Sequence, residues 1–367
     1  MSIINALNIP PGYTTTPLNT VRSSRIIYAY TNTHEVRVAR DVYLSWAKQA
    51  ADLITKDAVD EMMVTRQLPL EVISGLEKSI DKWIVDDMAP QWAGAMYLGS
   101  AVMIKAFERY LGRSLGETPK GHRLIEAIIR ESENVRIGKK SLSVPANLKA
   151  MVEDYYSGEF NPGFATDFPA VSENLTAWIN TRGAAEAFRY KEAQLKTWQT
   201  ILQRGIVEQG LNGTDIAAQL YESTGLTPLQ EVTVERHRAA LIKEGVSKSA
   251  AQKSAAKYAK TIRKRRAVSI GRTELANAYN GSRHITVTDF VDRQVIHEEI
   301  IKRWYSAVDE RVCPLCGDLH GTTVALRETW VRVDGKTAKE TVTGEHPPAH
   351  SKCRCVTLYE ILSRTAA

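Results

Sequence analysis

Four cysteines and one histidine near the C-terminus have the types and spacing to do chemistry: Cys313-Pro-Leu-Cys316, then His350-Ser-Lys-Cys353-Arg-Cys355. Zinc is borderline-soft and imposes no geometry of its own, so a two-residue spacer lets a single turn offer it two thiolates. The second half of a tetrahedral shell would come from Cys353 with either Cys355 or His350, leaving one of five candidates over. His320 and His346 are weaker candidates, suited to orienting a ligand from outside the first ring of donors. Four protein ligands leave no open position, so zinc held this way would be structural rather than catalytic.

Two other readings of the same residues stay open. The thiols could pair as disulfides, or serve as small buried hydrophobes without any ion. The first residues show no basic-apolar-small leader, which points to synthesis in a reducing cytoplasm where thiols stay free. The least polar stretch, residues 91–104, is interrupted by Lys105 and is too short to span a bilayer, so no membrane anchor is expected.

The elements that must position these groups divide by pattern. In residues 1–33, Pro10-Pro11-Gly12 and repeated Thr, Asn and Ser read as an extended arm. Helical patterns follow near 34–66, 69–86 and 89–112, and residues 155–169 read as a hinge around Asn161-Pro162-Gly163. Residues 184–209 read as one helix, with Phe188, Leu195, Trp198 and Leu202 as its apolar stripe. Thr227-Pro228-Leu229-Gln230 combines a hydroxyl cap, Pro at the first helical position and Gln closing a capping box. Ser247 can cap a basic segment, and a further helix is expected over 266–290 despite Gly271 and Gly281. After Gln294 the period changes: 295–306 alternates as a strand, Trp330-Val331-Arg332-Val333 before Asp334-Gly335 reads as a hairpin with a tight turn, and 353–361 supplies a returning strand.

Charge is unevenly placed. The formal net charge is +6 over 367 residues, yet 236–283 carries thirteen Lys and Arg against Glu244 and Glu274, a local +11 that leaves −5 for the remainder. Clustered cations attract nucleic acid or an acidic protein face, and Lys260, Arg263, Lys264, Arg265, Arg266 and Arg272 are the candidates for that contact. A solvated helical surface with no partner is the plain alternative.

In order and spacing, Arg272-Thr273-Glu274, Ala278-Tyr279-Asn280-Gly281, the strand leading to Trp304, Asp309-Glu310-Arg311-Val312-Cys313-Pro314-Leu315-Cys316, Gly321 and Pro347-Pro348-Ala349-His350-Ser351-Lys352-Cys353-Arg354-Cys355 resemble the phage Mu F-like minor head proteins. The resemblance covers about 190–360, and its most specific piece is the closing Pro-Pro-x-His-x-x-Cys-Arg-Cys. It implies a low-copy head component at the portal vertex, acting in procapsid assembly, head morphogenesis and genome packaging or delivery. It implies no reaction. Asp309, Arg311 and Trp304 read as structural members of the signature, the first accepting backbone N–H bonds in a turn that the second braces.

The expected architecture is α+β, mostly α: a long helical N-terminal body followed by a small C-terminal antiparallel β-rich domain, with zinc as its candidate staple. In sequence order this gives an arm (1–33), a helical domain (34–156), a linker (157–170), a second helical region with basic helices (171–293) and the β-rich Cys/His domain (294–367). Expected partners are the portal protein, the capsid interior and packaged double-stranded DNA, in the virion and, during assembly, in the host cytoplasm. No enzymatic activity is expected. The alternative is a DNA-binding, zinc-containing module acting outside any particle.

Overall fold

The computed structural model describes residues 2–3, 9, 11–18, 21–112, 169–307, 312–333, 340–342 and 344–364. The chain is mostly helical with a small antiparallel sheet, the expected α+β class. It divides into two compact units, each drawn from separated parts of the sequence: 1–35, 92–178 and 272–367 in one, 36–91 and 179–271 in the other. Among the described residues, no helix is long and apolar enough to cross a membrane.

The unit built from 36–91 and 179–271 is all helical. Its elements are the later part of α1 (Val21–Ala51), α2 (Lys56–Thr65), α3 (Leu70–Lys82), a wider π-type turn at Trp83–Met88, then α5 (Pro169–Leu202, from residue 179), a second π-type turn at Gln203–Glu208, α6 (Gly213–Ser223), α7 (Pro228–Lys243) and the first half of α8 (Lys248–Asp292). Caps start these helices where the side chains allow. The Thr55 hydroxyl accepts from Ala58 N, Asn212 from Asp215 N, and Thr227 and Gln230 form the reciprocal box expected at the start of α7. The core is aromatic: Trp46 stacks on Trp83 at 5.2 Å between centroids, with Tyr43 tilted against Trp46 and Tyr190 edge to face with Trp83.

The stripe read along α5 is only partly inward. Trp198 and Leu202 are buried and Leu195 is half-buried, but Phe188 is 63% exposed, with Lys191 Nζ 5.8 Å from its ring. The inward face runs instead through Glu186, Tyr190, Gln194, Thr197 and Ile201, because polar groups there have internal partners. Gln194 Oε1 accepts the Gly225 N–H at 2.7 Å, and Glu186 pairs with Arg182 at 2.9 Å.

In the other unit, α4 (Ala89–Leu111, from residue 92) and the second half of α8 accompany the sheet. Gly99 on α4 permits close approach, since a Cβ there would lie 2.5 Å from Tyr279 O on α8. The sheet order is β2-β7-β3-β4: Tyr13–Pro17, Val356–Arg364, Glu299–Tyr305 and Thr323–Ala325, all antiparallel. Ile300 pairs with Ile361 and Trp304 with Thr357. The stretch expected to be an extended arm thus gives an edge strand and, from Val21, the start of α1. Pro17 fits β2 because an edge strand need not donate on its outer side.

A second, three-stranded sheet has the order β1-β5-β6, from Ser2–Ile3, Val331–Val333 and Glu340–Val342. The hairpin after Trp330 is present, but Val333 pairs with Glu340, so a two-residue Asp334-Gly335 turn does not close its ladder. The separate basic segment and later helix are one helix of 45 residues, α8. Gly271 and Gly281 sit inside it at close contacts: a Cβ at Gly281 would lie 3.3 Å from His346 Nε2 and from Trp178 Nε1. Residues 113–168, with most of the expected linker, lie outside the described residues.

Candidate metal centre

Two loops of the sheet-bearing unit bring the sulfurs together. The first follows β3 and holds α9 (Pro314–Leu319); the second, 344–355, leads into β7. Cys313 is the extended residue before α9, Pro314 fixes the first helical position, and the turn folds Cys316 N back to 3.4 Å from Cys313 Sγ. In the second loop, Cys353 N donates to His350 O at 3.2 Å around Lys352, whose φ of 62° is left-handed. These local turns point two pairs of donors at one another.

Their ligand atoms form two overlapping groups, Cys313/Cys316/His350 and Cys316/Cys353/Cys355, each within 4.8 Å. Cys316 belongs to both. His350 Nε2 lies 3.1 Å from Cys313 Sγ and 3.0 Å from Cys316 Sγ, and Cys316 Sγ lies 3.7 Å from Cys353 Sγ. Two sulfurs on one tetrahedral zinc at about 2.3 Å each would be about 3.8 Å apart, so the sulfur edge fits, while the imidazole stands at hydrogen-bonding distance from the thiols. His350 Nδ1 is 2.8 Å from Ser351 O, so an Nδ1–H donated there leaves Nε2 with its lone pair toward the sulfurs. The donor set fits a thiophilic ion. All four cysteines are free thiols in this structure.

The site is buried on its Cys316/Cys353/Cys355 side, while Cys313 and His350 are half-buried. Cys316, Cys353 and Cys355 are buried in a cluster with Trp304, Leu319, Val324 and Trp330, and Trp304 meets Trp330 edge to face at 5.1 Å. Hydrogen bonds from Cys316 and Cys355 hold the Cys353 thiol below its ordinary range, and contacts with Cys353 and Cys355 push Cys316 up.

The signature on α8 supports the second loop from behind. The Lys352 N–H donates to Thr273 Oγ1 at 3.1 Å, Asn280 Nδ2 reaches Cys355 O at 3.5 Å, and Arg283, fully buried, donates to Thr357 O at 2.8 Å. Sequence spacing alone assigns no role to Thr273, Asn280 or Arg283. Their signal was small, since a buried Asn or Arg reads as surface until its partners are known. Glu274 is buried, whereas Arg272 is exposed.

The weaker histidines lie apart from the thiols. His320 Nδ1 accepts from Ser306 N at 3.1 Å beside the Tyr305 ring, and His346 Nδ1 is 2.8 Å from Pro347 O. Asp309 and Arg311 lie outside the described residues. Of the basic candidates, Lys260, Lys264, Arg265 and Arg272 are exposed. Arg263 and Arg266 turn inward: Arg263 Nη2 donates to Glu222 O at 2.5 Å, and Arg266 Nε to the Tyr43 hydroxyl at 2.9 Å. Helical rotation explains this, because at about 100° per residue positions 263 and 266 fall on the side of Ala255 and Ala259, away from Lys260 and Lys264.

No curated protein and no solved structure matches the chain. A family model described as Phage Mu protein F like protein matches residues 196–358, nearly the interval over which the motif order carries the resemblance. Over those residues, which take in both halves of the Cys/His cluster and the α8 signature behind it, the chain is similar to the Phage Mu protein F like family.

Proposed function

We propose that the chain is a non-catalytic minor head protein of a bacteriophage, associated with the portal vertex, where it assists procapsid assembly and the packaging or ejection of double-stranded DNA. The observation that carries this reading is the family match over 196–358. Its place is the virion head near the portal and, before that, the host cytoplasm during assembly. The portal protein and the capsid interior are its protein partners.

Within this reading the Cys/His cluster is a structural zinc staple. Cys313, Cys316, His350 and Cys353 would hold the ion: this set spans both loops and includes the 3.7 Å sulfur edge, with Cys355 left as a buried thiol beside it. When bound, zinc would supply only cross-linking, joining the loop after β3 to the loop before β7 and stabilising a sheet whose strands come from opposite ends of the chain. Thr273 and Asn280 position the backbone of the second loop for that closure.

The test is incorporation. Procapsids purified from a normal infection should contain the chain, and procapsids assembled without portal protein should lack it; equal amounts in both would overturn the portal assignment. A second reading, a DNA-binding zinc module working outside the particle, is favoured by the exposed lysines of α8. Absence from every particle, with retention of the free protein on duplex DNA, would select it.

A further inference from the structure

We propose that the face of α8 formed by Lys253, Lys257, Lys260 and Lys264 docks on the sugar-phosphate backbone of double-stranded DNA. This deepens the reading above by naming the surface that meets DNA, and it rests on that reading only for the presence of duplex DNA in the same particle.

The four lysines are all exposed and follow one another at i, i+4, i+7 and i+11. At about 100° and 1.5 Å per residue they lie within about 60° of arc and extend for about 16 Å along the helix. The opposite side is a seam of buried alanines, Ala251, Ala255 and Ala259, which fixes the helix against its own unit and leaves the lysines outward. From Val246 to Thr273 the sequence has nine Lys and Arg and no Asp or Glu. Like charges at i,i+4 destabilise a helix, so a bare row of this kind carries a repulsion that a polyanion would relieve.

The choice of duplex DNA over an acidic protein follows from what accompanies the lysines. Protein interfaces are anchored by aromatic and Arg side chains and are poor in Lys. The residues around this row are small, with Ser247, Ser249, Ala250 and Thr261 exposed between or beside the lysines. Among the described residues, no large apolar side chain is strongly exposed between Val246 and Val268. Single strands are bound by stacking bases on aromatic rings, and this face offers none. Lysine ammoniums without the planar Arg, Asn or Gln groups that pair with base edges track phosphates, so binding should be largely independent of sequence.

The experiment measures the affinity of the full chain for a short random-sequence DNA duplex over a range of salt. Four phosphate contacts should give a slope of log K against log salt near about −3.6, from roughly −0.9 per neutralised phosphate. The double variant Lys253→Gln/Lys257→Gln should weaken binding by more than about tenfold at low salt and bring the slope closer to zero by about 2. Arg265→Gln, exposed but off the lysine face, should leave the slope unchanged, and Lys253→Arg/Lys257→Arg should keep it, which separates charge from any folding defect. The proposal is overturned by an unchanged slope in the glutamine double variant, by an equal loss in Arg265→Gln, by tighter binding of single strands than of duplex, or by equal affinity for polyglutamate. Intact duplex binding in a protein absent from portal-bearing heads would overturn the portal assignment and leave this proposal standing.

Discussion

Thr273 and Lys352 are 79 positions apart in sequence and 3.1 Å apart in space, the hydroxyl of the first accepting the backbone N–H of the second. The bond fixes the left-handed turn that aims Cys353 at Cys316. It gives the Arg-Thr-Glu motif a physical task, bracing a ligand loop.

Thr273→Val keeps the shape of the side chain and removes the acceptor. Stability should fall by about 1 kcal/mol, the ordinary cost of such a bond. Zinc should also leave faster in the presence of a chelator, and Thr273→Ser should restore both. Denaturant unfolding and timed metal release measure the two effects; a valine variant with unchanged release would deny the loop its brace.

Cys316 is the thiol common to both donor groups, so Cys316→Ser should lower zinc content and melting temperature together, and by more than Cys355→Ala. Metal analysis beside thermal unfolding reads this directly. Stoichiometric zinc retained by Cys316→Ser, or lost only in Cys355→Ala, would reassign the ligands.

Neighbouring cations on α8 should separate into two classes. Arg263→Gln removes a hydrogen bond to Glu222 O from a site next to Gly225, and Tyr43→Phe removes both the bond to Gly225 O at 2.8 Å and the acceptor of Arg266. Each should cost about 1–3 kcal/mol. Lys264→Gln, fully outward, should leave unfolding within about 0.5 kcal/mol of the parent while weakening DNA retention. Equal destabilisation by Arg263→Gln and Lys264→Gln would contradict the inward placement of Arg263.

Acid should weaken the sheet-bearing unit through its histidines. Burial holds His346 down at about 4, and burial likewise lowers His284, partly offset by its contact with Glu345 Oε2 at 3.4 Å. In the unfolded chain these groups take up protons near pH 6.5, so the unfolded state binds more protons between about pH 6.5 and 4. Stability is therefore full above that window and is lost as pH falls through it. His346→Gln should flatten the decline at equal metal saturation, as read from denaturant midpoints; an identical pH profile would remove His346 from the account.

A close-packing prediction concerns Gly99. A Cβ there would meet Tyr279 O at 2.5 Å, and backbone cannot swing aside as a long side chain can. Gly99→Ala, ordinarily favourable in a helix, should instead destabilise by about 1–3 kcal/mol in thermal or denaturant unfolding.

Sequence alone determined whatever depends on neighbours a few residues apart. The Cys-x-x-Cys turn, the capping box at Thr227 and Gln230, the presence of strands around Trp304 and Tyr359, and the excess of cations in 236–283 all arise from local spacing, and the structure carries each of them, although burial in both strands runs through consecutive residues rather than alternating. Tertiary structure decided what depends on partners far along the chain. It brought Tyr13–Pro17 alongside β7, turned Arg263 and Arg266 toward Glu222 and Tyr43 while leaving Lys260 and Lys264 outside, and filled the inward face of α5 with Glu186, Gln194 and Thr197. The reason is common to these cases. A polar side chain or an edge strand is stable inside only when a specific distant group completes its hydrogen bonds, and sequence spacing does not record which group that will be.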